Sequence, residues 1–95
     1  MNNFIEICPH AMQRIGQRGI KLNAIDAILD YGKRYFVSGG RAVFWLNKRA
    51  VQEAFEREGV RLDQHLNKVV ILENGSLVIT VYRTNHREKS WKGQN

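Results

Sequence analysis

The pair Asn74-Gly75, set between Val69-Val70-Ile71-Leu72 and Leu77-Val78-Ile79-Thr80-Val81-Tyr82-Arg83, constrains the fold of this chain more than any other feature. A two-residue type I′ turn needs positive φ at both central positions. Asparagine and glycine supply it, and the flanking β-formers are then drawn into an antiparallel hairpin. Alternation with period two places Leu77, Ile79, Val81 and Arg83 on one face and Val78, Thr80, Tyr82 and Thr84 on the other. A second hairpin is expected over 34–38 and 41–46, where Tyr35, Phe36, Val37, Val43, Phe44 and Trp45 flank Gly39-Gly40.

The remaining segments read as helices that need this sheet to pack on. Pro9 suits the first turn of a helix and Gly19 suits the position just past its end, which frames a short helix over Pro9-His-Ala-Met-Gln-Arg-Ile-Gly-Gln-Arg-Gly19. Leu22, Ile25, Ile28 and Leu29 make the apolar stripe of a second helix that stops before Gly32. Asn47 caps a third, over 48–58, with Val51, Ala54 and Phe55 on its buried face and Gly59 at its end. Residues 4–8 read as a short edge strand or a lead-in, and 60–66 as a connection anchored by Leu62 and Leu66. The expected fold is α+β, with N-terminal helices packed on a roughly four-stranded antiparallel sheet and an extra helix between strands. One sheet face should meet the helices and the other should carry polar groups into a cleft.

Ninety-five residues suit a single domain, 1–95, ending in a basic tail over 83–95. No apolar run approaches the roughly 18 residues of a membrane span, and the opening Met-Asn-Asn-Phe-Ile-Glu lacks the basic and apolar regions of a signal peptide. A cytoplasmic protein, or one delivered into the cytoplasm of a target cell, is expected. The lone Cys8 allows no internal disulfide, and the three histidines have no metal-ligand spacing, so no metal or small-molecule cofactor is expected. The net charge of +6 favours phosphate backbones or acidic proteins as partners. Between Tyr31 and Gln52 lie Lys33, Arg34, Arg41, Lys48 and Arg49 with no acidic residue, and the tail adds Arg83, Arg87, Lys89 and Lys92 against Glu88 alone.

His10, Arg14 and Arg18 recur every four residues and form one polar stripe, while Ala11, Met12 and Ile15 fall on a different side. An imidazole beside fixed positive charge is what phosphodiester chemistry needs, and it is equally what a solvated basic helix face contains. Thr80, Tyr82 and Arg83 on the closing strand, with His86 beyond it, complete the candidate set. Their bland alternative is ordinary strand chemistry. Lys33, Arg34, Arg41, His86, Arg87, Lys89 and Trp91 are candidate nucleic-acid contacts. Trp91 can stack on an unpaired base or dock on the domain. His65 reads as a surface or connector residue, Cys8 as a small packing residue and Trp45 as hairpin packing.

Taken as a set, His10-Ala-x-x-Arg14-x-x-x-Arg18-Gly-Ile, the second helix ending in Leu-x-x-Gly32, and Gly75-x-x-Val-Ile-Thr80-Val-Tyr82-Arg83 resemble a family of small bacterial and phage domains of unknown function. That family is similar to the toxin nucleases grouped with RelE, colicin ribonucleases, EndoU and barnase. The likeness runs from His10 to Arg83. It implies helices against a four-stranded antiparallel sheet and a metal-independent endoribonuclease site on the exposed sheet surface. His10, Arg14, Arg18, Thr80, Tyr82 and Arg83 are the positions that carry over. Lys21 stands where the family commonly has a serine or threonine helix cap. The expected reaction is attack of an RNA 2′-OH on the adjacent phosphate to give a 2′,3′-cyclic phosphate, with RNA as substrate and an acidic inhibitor or antitoxin as partner. A noncatalytic basic RNA- or DNA-binding module, or an interaction module for an acidic protein, fits the same charge.

Overall fold

Among the described residues the first strand is two residues long, and a proline soon after it keeps it from running on. In the computed structural model, which describes residues 5–84, β1 (Glu6–Ile7) pairs parallel with the last strand, and Pro9 then opens helix α1 (Pro9–Gln17). Proline has no N–H to extend the ladder, but its fixed φ suits the first helical position. Cys8 caps this helix, its Sγ accepting from the Ala11 N–H at 3.4 Å. Helix α2 (Leu22–Tyr31) follows, started by Lys21 without a side-chain cap, the departure already visible in the sequence.

Strands β2 (Lys33–Val37) and β3 (Arg41–Trp45) form the first hairpin, and α3 (Lys48–Glu58) follows directly. The Asn47 side chain accepts from the Ala50 N–H at 2.8 Å, and Gly59 ends the helix in the left-handed region at φ 68°. A single 3-10 turn (Asp63–His65) leads to β4 (Lys68–Glu73) and β5 (Leu77–Arg83). Asn74 and Gly75 take the positive φ values their turn requires, 53° and 78°.

The sheet has the order β1-β5-β4-β3-β2, antiparallel except for the β1–β5 pair. The α+β class and the helix between strands are as expected. The expected roughly four-stranded antiparallel sheet is corrected to five strands and a mixed sheet. The edge-strand reading of residues 4–8 is met by β1, but its parallel pairing is not revealed by local pattern, because two residues carry no periodicity and their partner lies at the other end of the chain.

The facing pattern of β5 is also corrected. Ile71 pairs with Thr80 but Leu72 with Val78, so Ile79 is an extra residue in the ladder. A bulge of this kind reverses the alternation beyond it. Val78 and Val81, which strict alternation would put on opposite faces, both lie fully buried in the helix-side core with Ile15, Ile25, Ile28, Leu46 and Val70. Burying one such aliphatic side chain contributes about 1.5–3 kcal/mol, so this shared interior holds α1, α2 and α3 to the sheet. The opposite face carries Tyr35, Val43, Trp45 and Val69, with Val37, Ile71 and Tyr82 packed against them. That face is apolar and aromatic, where a polar cleft was expected. The alternating sequence of β5 suggested threonine and tyrosine there, but the β2–β3 hairpin supplies most of the surface. Trp45 is buried as expected, its Nε1 donating to Asn67 Oδ1 at 3.3 Å. Among the described residues no helix is long and apolar enough to cross a membrane.

Candidate functional site

The polar stripe of α1 lies along the outer edge of β5. Because β1 pairs only with Leu77 and Val78, the edge beyond them is left for the helix. Arg18, at the helix C-terminus, closes part of it: its Nη1 donates to the Val81 carbonyl at 2.7 Å, which satisfies a strand-edge acceptor and fixes the guanidinium. Two adjoining hollows open along this seam. The smaller, about 110 Å³, is lined by His10, Arg14, Arg18 and the β5 segment from Ile79 to Val81. The larger, about 640 Å³, is lined by Arg18, Gly19, Ile20, Lys68, Thr80, Tyr82 and Arg83. Arg18 and Thr80 belong to both.

All six residues singled out as catalytic candidates therefore line one continuous groove, on the sheet's edge rather than on its face. His10, Arg14, Arg18 and Arg83 are exposed and Thr80 and Tyr82 half-buried. The other candidates lie apart. Lys33 and Arg34 are on β2, at the opposite edge of the sheet. Arg41 begins β3 and pairs with Glu73 across the β3–β4 ladder, Nε to Oε2 at 3.4 Å. His86, Arg87, Lys89 and Trp91 lie outside the described residues.

The electrostatics of the groove are one-sided. Its lining holds Arg14, Arg18, Lys68 and Arg83 and no carboxylate. Lys68 and Arg83 are direct cross-strand partners, an arrangement that destabilises a sheet unless an anion comes between the charges. Burial, and after it the charge of Arg83, hold the Lys68 ammonium below its ordinary pKa. Burial raises the pKa of Tyr82, so its hydroxyl stays protonated at neutral pH and can donate a hydrogen bond. Among the described residues no group of three or more His, Cys, Asp or Glu is placed to hold a metal ion.

Sequence reasoning missed Lys68 and misjudged His65. The latter is not a surface connector; it is buried at the end of the 3-10 turn, and its Nδ1 lies 3.5 Å from Lys68 Nζ. With the ammonium as donor the imidazole is neutral, its proton on Nε2. Burial, and then the charge of Lys68, lower its pKa from the ordinary 6.5. The available signal was the hairpin register. Counting back from a two-residue Asn74-Gly75 turn without a bulge puts Lys68 opposite Val81, between Thr80 and Tyr82 of the candidate site, and the observed register with its bulge moves it opposite Arg83.

A pH dependence follows from His65. The unfolded chain binds a proton near pH 6.5 that the folded chain refuses, so this group's contribution is fully present above that pH and is lost as the pH falls toward the lowered folded value. Urea unfolding is expected to show stability decreasing on acidification below about 6.5, with a shallower decrease in His65→Gln. Equal slopes in both proteins would assign the effect to other groups.

Comparison with protein-family models, with curated proteins and with solved structures returned no match.

Proposed function

We propose that this chain is a small endoribonuclease that cleaves RNA by attack of a 2′-OH on the adjacent phosphate, without a metal ion. The observation that carries the reading is the order of groups along the groove. Arg18 and Thr80 are shared by both hollows, His10 lies on one side of them and Lys68 on the other. A phosphate seated at Arg18 and Thr80 would have a proton acceptor toward one end and a proton donor toward the other, as in-line displacement requires.

In this reading His10 takes the proton of the attacking 2′-OH. The new O–P bond forms as the bond to the 5′-oxygen breaks, and Lys68 supplies the proton that this oxygen needs to leave. The products are a 2′,3′-cyclic phosphate and a free 5′-hydroxyl. An ammonium with a lowered pKa is a better proton donor than an ordinary lysine. Arg14, Arg18 and Arg83 stabilise charge that builds on the phosphoryl oxygens, and the Tyr82 hydroxyl donates to one of them. Arg18 is already held by Val81, so little reorganisation is needed during the reaction. The same unneutralised charge suits an acidic inhibitory protein that covers the groove until the enzyme is released.

The test is to incubate the chain with single-stranded RNA in excess chelator and identify the fragment ends. Fragments ending in 2′,3′-cyclic phosphate and beginning with 5′-hydroxyl are expected. Salt-dependent RNA binding with no fragments would replace this reading with a noncatalytic binding module.

A further inference from the structure

Beyond the β5 groove, the opposite edge of the sheet carries an aromatic ring that nothing in the helix-side core requires. Phe36, the fourth of the five residues of β2, is 61% exposed. The register places it beside Ala42, and its neighbour Arg34 beside Phe44, on the side that the helices cover elsewhere. The helix layer stops short of it, because α2 ends at Tyr31 and α3 begins only at Lys48. The Arg34 guanidinium stands 4.8 Å from the centre of the Phe36 ring. Lys33, Arg34, Phe36 and Arg49 line a groove of about 700 Å³, in which the acidic Glu53 is engaged by Arg49 at 3.3 Å.

We infer that Phe36 and Arg34 form a stacking platform for a base of single-stranded RNA, with Lys33 and Arg49 holding the neighbouring phosphates. An exposed ring among cations matches the two things a nucleotide offers, a π-face and an anion, and a base can lie on either the ring or the guanidinium plane. Three strand spacings separate β2 from β5, so the two backbones lie about 14 Å apart, with the platform and the groove at opposite edges of the sheet. One strand of RNA can engage both edges. As an extension of substrate binding this rests on the ribonuclease reading, but the stacking itself does not require cleavage.

The test compares two substrates. Binding is measured with a 2′-O-methyl RNA oligonucleotide, which lacks the attacking hydroxyl, and cleavage with a ribodinucleotide, which reaches only the β5 groove. Phe36→Ala is expected to weaken oligonucleotide binding roughly tenfold, with Phe36→Trp restoring it, and to leave dinucleotide cleavage unchanged. An oligonucleotide carrying abasic positions throughout is expected to bind both wild type and Phe36→Ala with the same, weaker affinity. Because the side chain is mostly exposed, the alanine variant should fold normally, which circular dichroism checks. Oligonucleotide affinity equal to wild type in Phe36→Ala overturns the platform, whether or not RNA is cleaved. Weakened binding together with no cleavage by the wild type supports the platform and overturns the ribonuclease reading alone.

Discussion

Replacing His10 with alanine is expected to slow RNA cleavage by about 10²- to 10⁴-fold, the usual contribution of one positioned proton-transfer group. Little else should change. The side chain is exposed, and the first turn of α1 has no acidic residue to pair with it. A basic side chain near a helix N-terminus also gains nothing from the helix dipole, so its removal should leave thermal stability unaltered. Further variants separate proton transfer from charge. His10→Lys keeps a basic side chain but removes the imidazole, and it should remain slow. Arg14→Lys keeps the charge on the same hollow and should lose far less activity than Arg14→Ala. A variant that cleaves at the wild-type rate would return this histidine to the solvated helix face.

The candidate site was partly legible because its members sit on strongly patterned elements. A helix opened by Pro9 fixes the spacing of His10, Arg14 and Arg18 whatever it packs against, and the Asn74-Gly75 turn fixes which strand carries Thr80, Tyr82 and Arg83. Their convergence was not legible. It depends on β1, whose hydrogen bonds from the Glu6 and Cys8 N–H groups to the Ser76 and Val78 carbonyls, at 2.9 and 3.0 Å, bring the start of α1 beside β5. Two backbone contacts across the length of the chain leave no trace in local periodicity. The bulge at Ile79 was hidden for a related reason, since no glycine or proline marks it. Yet it decides that Val81 is buried, that Tyr82 joins the opposite face and that Lys68 stands against Arg83. His65 illustrates the limit of composition. Flanked by Asp63, Gln64 and Asn67 it reads as surface, but the 3-10 turn that follows the buried Leu62 carries it inward.

A single methyl group at Gly32 is expected to destabilise the fold by about 1–3 kcal/mol or more, the range found when atoms are forced into a packed interior. The reason is not conformational. Gly32 has φ −67° and ψ 153°, which any residue adopts. Its Cα is instead pressed between the last turn of α2 and the end of β3. A Cβ there would stand 2.5 Å from the Ile28 carbonyl oxygen and 3.3 Å from both the Trp45 nitrogen and carbonyl carbon. All three are backbone atoms and cannot swing aside as a side chain would. The same carbonyl accepts the Gly32 N–H at 2.8 Å, so moving away from it also strains the bond that ends the helix. Against this, Gly→Ala restricts the unfolded chain and stabilises by only about 0.4–1 kcal/mol, so the clash prevails. For a domain of this size each kcal/mol moves the melting temperature by roughly 4–8 °C, which makes the loss easy to measure. Gly16 supplies the internal control. It lies exposed in α1, and a methyl group added to it would meet nothing within 4 Å apart from its chain neighbours and the helix's own backbone, so Gly16→Ala should raise the melting temperature through helix propensity alone. Opposite signs for the same chemical change identify the α2–β2 junction as a place where backbone meets backbone. A Gly32→Ala protein that melts with the wild type would mean that α2 can shift on the sheet, and with it the edge where Arg34 and Phe36 stand.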